Sequence, residues 1–220
     1  MSNLVALHSP EGEQLLADVR RGDGLFQPLL FHLFKKQIGD QNCGIQSCAM
    51  VLGAQQVGTQ QPDIKQGDEV QRMECKYEEM SLLTMPETQS VVTPELIKEC
   101  SGLDLNAVYG ILRAHHVEVA IHHASDITED EFRVQAKHIL KQSNSSAGII
   151  VNYYMATLGQ SFTYGHHSPL AGYHEKTDRF LLMDVWKENE ECWAKTSDLY
   201  KAMNTTDDAS GKTRGFVAIY

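Results

Sequence analysis

The prediction of the fold starts from the segment Asn42-Cys43-Gly44-Ile45-Gln46-Ser47-Cys48-Ala49-Met50-Val51-Leu52. Its density of apolar residues is typical of a buried helix, with Cys43 in the first turn. Helix signals flank it: Pro10 opens an amphipathic helix that ends near Gly22, Thr93-Pro94 opens another, and residues 104–115 carry apolar side chains at helical spacing. We therefore expect a helical lobe over about residues 1–115.

Strand patterns dominate the chain beyond residue 116. Residues 117–122 alternate as a strand does, and Thr128 with Glu131 forms a capping box for a helix to about residue 142. Further strands are predicted at residues 148–153, 168–173, 179–185 and 215–220. Because helices come first and strands later, we expect an α+β fold rather than a doubly wound one. Residues 1–220 would form a single domain whose helical lobe packs against a mostly antiparallel sheet lobe, about residues 116–220.

Two segments of the first half are predicted to lack regular structure. Residues 25–39 are interpreted as an irregular or extended passage. Residues 55–71 are rich in Gln, Gly and Asp and include one Pro, which is the composition of a loop. We expect this second segment to be a mobile insert.

The charge balance of the chain excludes several classes of partner. Nineteen Lys and Arg against 29 Asp and Glu give a net charge of −10, and the basic residues are scattered. Nucleic acid and anionic membranes are therefore not expected as partners. The longest apolar stretch is shorter than the roughly 20 residues of a membrane span, and the start has no signal-peptide pattern. We expect a soluble, cytoplasmic protein.

The cysteines indicate free thiols. Five cysteines are odd in number and form no C-x-x-C pair, so neither a disulfide framework nor a structural zinc site is expected. Cys43 differs from the others because it falls at a predicted helix start, where the free N–H groups and the dipole lower the pKa of a thiol. A cysteine in such a place is also commonly just buried, so the assignment of a nucleophile needs further residues.

Two of those residues occur in the second half of the chain and a third shortly before Cys43. His166, in the run Gly165-His166-His167-Ser168-Pro169, precedes a predicted strand, and Asp184 ends the next one. If the two strands are antiparallel neighbours, His166 lies beside Asp184, which would orient the imidazole that takes the thiol proton. Gln37, six residues before Cys43, can donate its amide to a developing oxyanion together with the Cys43 backbone N–H.

These residues carry a resemblance to the catalytic domain of phytochelatin synthase, a papain-like cysteine transferase that acts on glutathione. The resemblance implies a papain-like α+β fold with Cys43 as nucleophile, His166 as general base and acid, Asp184 as the orienting carboxylate and Gln37 as oxyanion donor. The matching stretches follow the same order over nearly the whole chain: Gln37-Ile-Gly-Asp-Gln-Asn-Cys43-Gly44, residues 123–133, Gly165-His166-His167-Ser168-Pro169-Leu170-Ala171, residues 177–185, residues 201–204 and residues 212–216.

The family chemistry sets further expectations. In that family the thiolate attacks the Cys–Gly peptide of glutathione, releases glycine and holds γ-Glu-Cys as a thioester, which passes to a second glutathione or to water. Asp207 and Arg214 match positions expected near the amino and carboxylate groups of the γ-glutamyl unit, and Gly165 is placed with them as a substrate-binding residue. Exposed Asp and Arg are also common as plain surface residues.

Departures from the family pattern favour water as the acceptor. The run Val185-Trp186-Lys187-Glu188-Asn189-Glu190-Glu191-Cys192-Trp193 is one residue shorter than usual and acidic where the family is basic. Met155 stands where an Arg usually follows the Tyr pair, and no Cys-rich C-terminal extension is present. Because cations suited to a second anionic substrate are missing, we expect hydrolysis to γ-glutamylcysteine to dominate over transfer.

The resemblance also bears on cofactors and partners. No cofactor is required, while Cd or Zn would act through a metal–glutathione substrate. The partners expected are glutathione and related γ-glutamyl thiol peptides, and a homodimer stays an open option.

Several alternatives are left open by the sequence. Adjacent residues on a strand face opposite ways, so the three His-His doublets are not expected to chelate a metal. His167 replaces an apolar or aromatic residue of the family motif and is interpreted as a packing or cleft-wall residue. Trp186 and Trp193 are expected to serve lobe packing rather than to form a ligand platform. A peptidase of the same fold acting on other peptides or proteins, and an inactive module that binds thiol peptides or metals, remain as rival functions.

Overall fold

Local capping chemistry starts several of the helices. The computed structural model describes residues 3–60, 75–142 and 147–220. The side chains of Ser9, Thr93 and Asp104 each accept a backbone N–H at the start of a helix, and Thr128 and Glu131 form a complete capping box. The helices are α1 Pro10–Arg20, α2 Pro28–His32, α3 Cys43–Gln60, α4 Glu79–Thr84, α5 Pro86–Gln89, α6 Pro94–Glu99, α7 Leu105–Ala114, α8 Glu129–Lys141, α9 Met155–Leu158 and α10 Thr196–Met203.

Helix α3 is buried, as predicted, and begins at Cys43. Every residue from Cys43 to Ala54 is buried, because the helix packs against α2, α4 and α7 on its sides and against the sheet beneath it. The all-round apolar composition of this helix therefore matches its all-round burial.

The strands form one antiparallel sheet. They are β1 Val5–Ala6, β2 Gly24–Phe26, β3 Val119–His123, β4 Gly148–Tyr154, β5 Gly165–His174, β6 Arg179–Leu182, β7 Cys192–Lys195 and β8 Gly215–Ile219. The order in the sheet is β1-β7-β6-β5-β4-β8-β3, with β2 paired to β5, and each of these pairs is antiparallel. The α+β class with an antiparallel sheet is confirmed.

Both faces of the sheet are covered. Side chains alternate between the faces along each strand, so Ile150 and Val217 pack with α3 and its neighbours. Val151 and Phe216 point the other way and pack with α8 and α10. The buried ten-residue strand β5 runs through the middle of this sheet. It therefore offers a rigid support for the residues at its start.

The structure corrects the predictions for residues 25–39 and for the loop at residues 55–71. Within residues 25–39, α2 forms over Pro28–His32, because Pro28 suits the first turn of a helix and Leu29 and Leu30 are buried. Helix α3 continues to Gln60 instead of ending before residue 55, since Val57 and Gly58 are buried in it; residues 61–71 lie outside the described part. Strands β1 and β2 also join the sheet from the first half, so helices and sheet are not separated along the chain as fully as expected.

No helix in the described ranges combines the length and the apolar character that a membrane span requires.

Candidate active site

Cys43 is the first residue of α3 and lies at the base of a cleft of about 970 Å³. Only 9% of its side chain is exposed. The cleft has one wall from the helical part and one from the sheet and its loops. Its lining includes His166 and Asn152 from the sheet, Trp186 from the loop after β6, Asp207 and Arg214 near the end of the chain, and Leu103 and Asn106 from around the start of α7.

The β5–β6 hairpin places His166 against Asp184, as the sequence predicted. Nε2 of His166 lies 2.9 Å from Oδ1 of Asp184, and both side chains are buried. Since Nε2 is engaged by the carboxylate, Nδ1 is the ring nitrogen left for proton transfer. The carboxylate also accepts hydrogen bonds from the backbone N–H of Trp186 (2.9 Å), Gln160 Nε2 (2.6 Å), Asn189 Nδ2 (2.9 Å) and Tyr153 Oη (3.2 Å).

This environment keeps both members of the pair ionised. Burial would raise the pKa of Asp184, but the charge of His166 and the hydrogen bonds outweigh it and lower that pKa to about 2. Burial would likewise lower the pKa of His166, but the charges of Asp184 and Cys43 raise it to about 10. The imidazole is therefore cationic over the neutral pH range.

The thiol of Cys43 is shifted in the direction that a nucleophile needs. Burial alone would raise its pKa, but the positive charge of His166 and the contacts with His166 and His167 bring it well below the ordinary value. Burial raises the pKa of Cys48 and Cys192 instead. Within the described residues all five cysteines are unpaired, and Cys43 has the surroundings of a thiolate–imidazolium pair.

His167 lies closer to the thiol than the sequence indicated. Its Nδ1 is 3.8 Å from Sγ of Cys43, and its ring is 1% exposed and is absent from the residues that line the cleft. The interpretation as a cleft-wall residue was therefore wrong. The ring is buried beneath the cleft, where it has a polar contact with the thiol.

Gln37 lies in the loop before α3, but its amide is partly engaged. Nε2 of Gln37 donates to the carbonyl of Gly39 at 2.7 Å, and its Oε1 is buried with no partner among the described groups. Gln37 does not belong to the residues that line the cleft. A role as oxyanion donor requires the second amide hydrogen and stays a prediction.

Glu79 of α4 holds this loop and was missed by the sequence analysis. Its carboxylate is 2% exposed and accepts the backbone N–H groups of Ile38 (2.5 Å) and Gly39 (2.8 Å) and Nδ2 of Asn42 (2.7 Å). It thereby links α4 to the residue just before Cys43. No local pattern could reveal this, because Glu79 is 41 residues beyond Ile38.

Arg214, Asp207 and Gly165 lie together in the same cleft as Cys43. The guanidinium is 6% exposed, with Nη1 donating to Thr205 Oγ1 at 3.1 Å and Nη2 4.0 Å from Asp207 Oδ1. Its Nε is buried without a partner in the described part of the chain. A Cβ at position 165 would lie 3.0 Å from Arg214 Nε, so Gly165 allows the guanidinium to approach the start of β5. The substrate-binding role of these residues stays a prediction.

Two ion pairs connect the acidic loop after Asp184 with the loop before α3. Lys187 pairs with Asp40 at 2.6 Å, and Lys36 pairs with Glu191 at 2.6 Å and donates to the Asp184 carbonyl at 2.7 Å. The lysines near this end of the cleft are therefore already paired with carboxylates.

The two tryptophans have different surroundings. Trp193 is fully buried and donates to the carbonyl of Gly12 at 3.1 Å, as packing predicts. Trp186 is partly buried and packs edge-to-face with Phe162, at 5.6 Å between ring centroids, against the core on the α8 and α10 side of the sheet. It also lines the cleft.

In the described part of the chain, no group of three or more His, Cys, Asp and Glu side chains is arranged to hold a metal ion.

The fold and the site together define a class of protein. A buried cysteine at the start of a helix, facing a His–Asp pair on an antiparallel sheet across a cleft, is the arrangement of a papain-like cysteine enzyme. The comparison with known families is more specific: a family model described as phytochelatin synthase matches residues 1–216. The chain belongs to the phytochelatin synthase family.

Curated relatives agree with this assignment. Glutathione gamma-glutamylcysteinyltransferase 1 of Lotus japonicus is 33% identical over 120 residues, which are 54% of this chain and 23% of that protein. Its namesake from Arabidopsis thaliana is 31% identical over 127 residues, 57% of this chain and 25% of that protein. The Schizosaccharomyces pombe enzyme is 32% identical over 96 residues, 43% and 22% of the two chains. The matched segments span about a quarter of the length of these relatives.

Among solved structures, a C39-like peptidase from Bacillus anthracis aligns with a TM-score of 0.49 and 11% identity, over 90% of this chain and 97% of that one.

Proposed function

We propose that this protein cleaves the Cys–Gly bond of glutathione through a thioester on Cys43 and passes the γ-Glu-Cys unit mainly to water. The observation that carries this proposal is the contact of His166 with Asp184 at 2.9 Å beside a thiol of lowered pKa. Family membership supports glutathione as the substrate, because the curated relatives are named glutathione gamma-glutamylcysteinyltransferases.

Acylation uses the ion pair directly. The Cys43 thiolate attacks the carbonyl carbon of the substrate cysteine and forms a C–S bond. Protonated His166 then gives its Nδ1 proton to the glycine nitrogen as the C–N bond breaks, so glycine leaves as a neutral amine. Asp184 keeps the imidazole oriented and stabilises its cationic form. The backbone N–H of Cys43, with Gln37, would face the oxyanion.

Deacylation reverses these roles. Neutral His166 takes a proton from a water molecule, the hydroxide oxygen attacks the thioester carbonyl, and the C–S bond breaks. The products are γ-glutamylcysteine and the regenerated thiolate–imidazolium pair. In transfer, the amino group of a second glutathione takes the place of the water.

The two charged residues of the cleft suit the γ-glutamyl end of the substrate. This end carries a free carboxylate and a free amino group, which Arg214 and Asp207 complement in charge. The partly unused guanidinium, with Nε unpartnered among the described groups, supports a carboxylate site at Arg214.

Hydrolysis is favoured because the cleft offers few unpaired cations to attract a second glutathione as acceptor. Lys187 and Lys36 are paired with Asp40 and Glu191, and Met155 is a buried apolar residue that lines the cleft. A second anionic glutathione would therefore find weak electrostatic attraction. A heavy metal would act as part of the substrate, as a metal–glutathione thiolate. We place the protein in the reducing cytoplasm, where its thiols stay free.

The test is the product spectrum from glutathione. Purified protein is incubated with millimolar glutathione, with and without cadmium, and glycine, γ-glutamylcysteine and longer γ-Glu-Cys oligomers are quantified by mass spectrometry. Glycine with dipeptide is expected. Dominant oligomers would overturn the preference for water, and absence of any product would overturn glutathione as the substrate. The α-linked peptide Glu-Cys-Gly is the control, because its cleavage at an equal rate would favour a general peptidase.

Replacement of Arg214 by Ala should lower kcat/KM for glutathione by about 10- to 100-fold, mainly through KM, because a charge-assisted hydrogen bond to the substrate carboxylate is lost. Arg214→Lys should recover part of the loss, since it keeps the charge without the planar fork. Arg113→Ala, on the exposed side of α7, removes a cation away from the cleft and is the matched control. An unchanged KM in Arg214→Ala would contradict the proposed site.

Replacement of Glu79 by Gln should lower kcat about 10-fold with little change in KM, because one donor of the loop before Cys43 would lose its acceptor. Glu79 is thus a positioning residue. Its neighbour Glu78 is paired with Lys35 at the surface, so Glu78→Gln is the matched control. A lower Tm with unchanged kcat in Glu79→Gln would show a purely structural role.

A further inference from the structure

A second imidazole contacts the nucleophile from the other side of strand β5. His167 Nδ1 lies 3.8 Å from Cys43 Sγ, and its Nε2 lies 2.7 Å from Asn152 Nδ2 on the neighbouring strand β4. The register of β4 and β5 places Asn152 opposite His167 and Tyr153 opposite His166. Each imidazole therefore has its own polar partner, Asp184 for His166 and Asn152 for His167.

The contact with Asn152 specifies the tautomer of His167. In this arrangement Nδ2 of Asn152 donates, so Nε2 of the ring accepts and the ring proton resides on Nδ1. That proton points to Sγ of Cys43. We propose that His167 is a further catalytic residue, whose neutral ring donates its Nδ1–H to the Cys43 sulfur while Asn152 holds the tautomer. This proposal rests on the proposed function, in which Cys43 is the nucleophile.

Packing alone does not explain this pair. His167 and Asn152 are buried, at 1% and 2% exposure, and Oδ1 of Asn152 has no hydrogen-bond partner among the described groups. Burying polar groups in this way is costly. An apolar ring at position 167 would fill the same volume without that cost. The presence of Asn152 and His167 next to the sulfur is explained if the imidazole donates a hydrogen bond to Cys43 Sγ.

A hydrogen bond from His167 to Cys43 Sγ would act in the deacylation step. During deacylation His166 takes the proton of the attacking water and becomes the imidazolium that pairs with the departing sulfur, while its Nε2 side stays engaged by Asp184. The C–S bond breaks and leaves the electron pair on Cys43 Sγ, where a Nδ1–H from His167 stabilises the new thiolate. A second donor therefore assists release of the acyl group to water.

The groups around Cys43 that can change charge are few in the described part of the chain. His166 and His167 face it from β5, Asp184 stands behind His166, and Cys48 lies on α3. Both imidazoles lower the pKa of Cys43, His166 chiefly through its charge and His167 chiefly through its contact with the sulfur. The effect of His167 can thus be separated from that of His166 by substitution.

The experiment measures the pKa of Cys43 without substrate. The rate of alkylation by iodoacetamide is followed against pH, with Cys43 identified by mass spectrometry. His167→Phe should raise the pKa of the thiol by about one unit, the size expected for loss of one hydrogen bond to a charged group. His167→Asn places an amide N–H near the position of Nδ1 and should restore most of the shift. Asn152→Leu should raise the pKa by a smaller amount, because the tautomer is no longer held.

An unchanged or lowered pKa in folded His167→Phe would overturn the proposal, since the ring would then be a packing residue or an acceptor. If His167→Phe does not fold, as judged by circular dichroism and Tm, Asn152→Leu decides: an unchanged pKa there overturns the proposal. The alkylation rates need no substrate, so absence of glycine release by the wild-type protein counts against the proposed function and leaves this test intact.

Discussion

Replacement of Cys43 by Ala should abolish the release of glycine from glutathione, with a loss of about 10⁴-fold or more in kcat, because the sulfur that forms the thioester is removed. Cys43 is the cysteine whose pKa lies well below its ordinary value. Accordingly, mass spectrometry of the wild-type protein mixed with glutathione should show the γ-Glu-Cys adduct on this residue. The adduct should be absent from the variant.

Cys48 offers a matched control for this variant. It lies on the same helix, is fully buried and has a raised pKa, so Cys48→Ala removes a thiol without removing a thiolate. It should form the adduct and turn over glutathione at a rate close to that of the wild type. Residual glycine release by Cys43→Ala at more than a few per cent would refute the mechanism.

Replacement of Asp184 by Asn should lower kcat by about 10³- to 10⁴-fold, since the imidazole loses the group that orients it and stabilises its cation. The overall shape of the site should be kept, because Asn fills the volume of Asp. The donors from Gln160 and Asn189 would compete for the one remaining oxygen. Steady-state measurement of glycine release gives this number.

The pH dependence of this variant is a sharper readout than the rate. In the wild type the reactive pair exists above the lowered pKa of Cys43 and is lost as pH rises through the raised pKa of His166, about 10. The charge of Asp184 is a principal cause of that raised pKa. Without it, the alkaline limb of the pH profile should move to lower pH, towards the ordinary value for histidine, about 6.5.

Asp178, at the turn of the same hairpin, provides the control carboxylate. It pairs with Arg133 at 2.9 Å and does not contact His166. Asp178→Asn should lower Tm and leave the alkaline limb in place. A limb at the wild-type position in Asp184→Asn would show that the carboxylate does not govern His166.

Local chemistry explains why much of the site could be predicted from the sequence. The caps at Thr93, Asp104 and Thr128 act within three residues, so helix starts follow from short motifs. His166 and Asp184 are brought together by one hairpin, and antiparallel strands joined by a short turn are neighbours by construction. The resemblance to phytochelatin synthase, which the family match confirms, connected these parts into one site.

Contacts between distant segments were beyond such reasoning. Strand β7 follows an acidic run and carries no strand pattern that the sequence analysis could detect. Helix α2 forms because other parts of the fold bury its leucines. Glu79 reaches Gly39 across 40 residues, and Asn152 meets His167 across 15. These pairings depend on the docking of α4 onto the loop before α3 and on the register of β4 with β5.

The sequence by itself therefore determined the α+β class, the helix that begins at Cys43 and the hairpin that carries His166 and Asp184, because these rest on side-chain periodicity and on contacts within one or two elements. The tertiary structure alone decided which imidazole nitrogens face the thiol, how the loop before Cys43 is held and which charges of the cleft are already paired. Such features are set by register and packing between segments far apart in the chain, where a shift of one residue would turn each side chain to the other face.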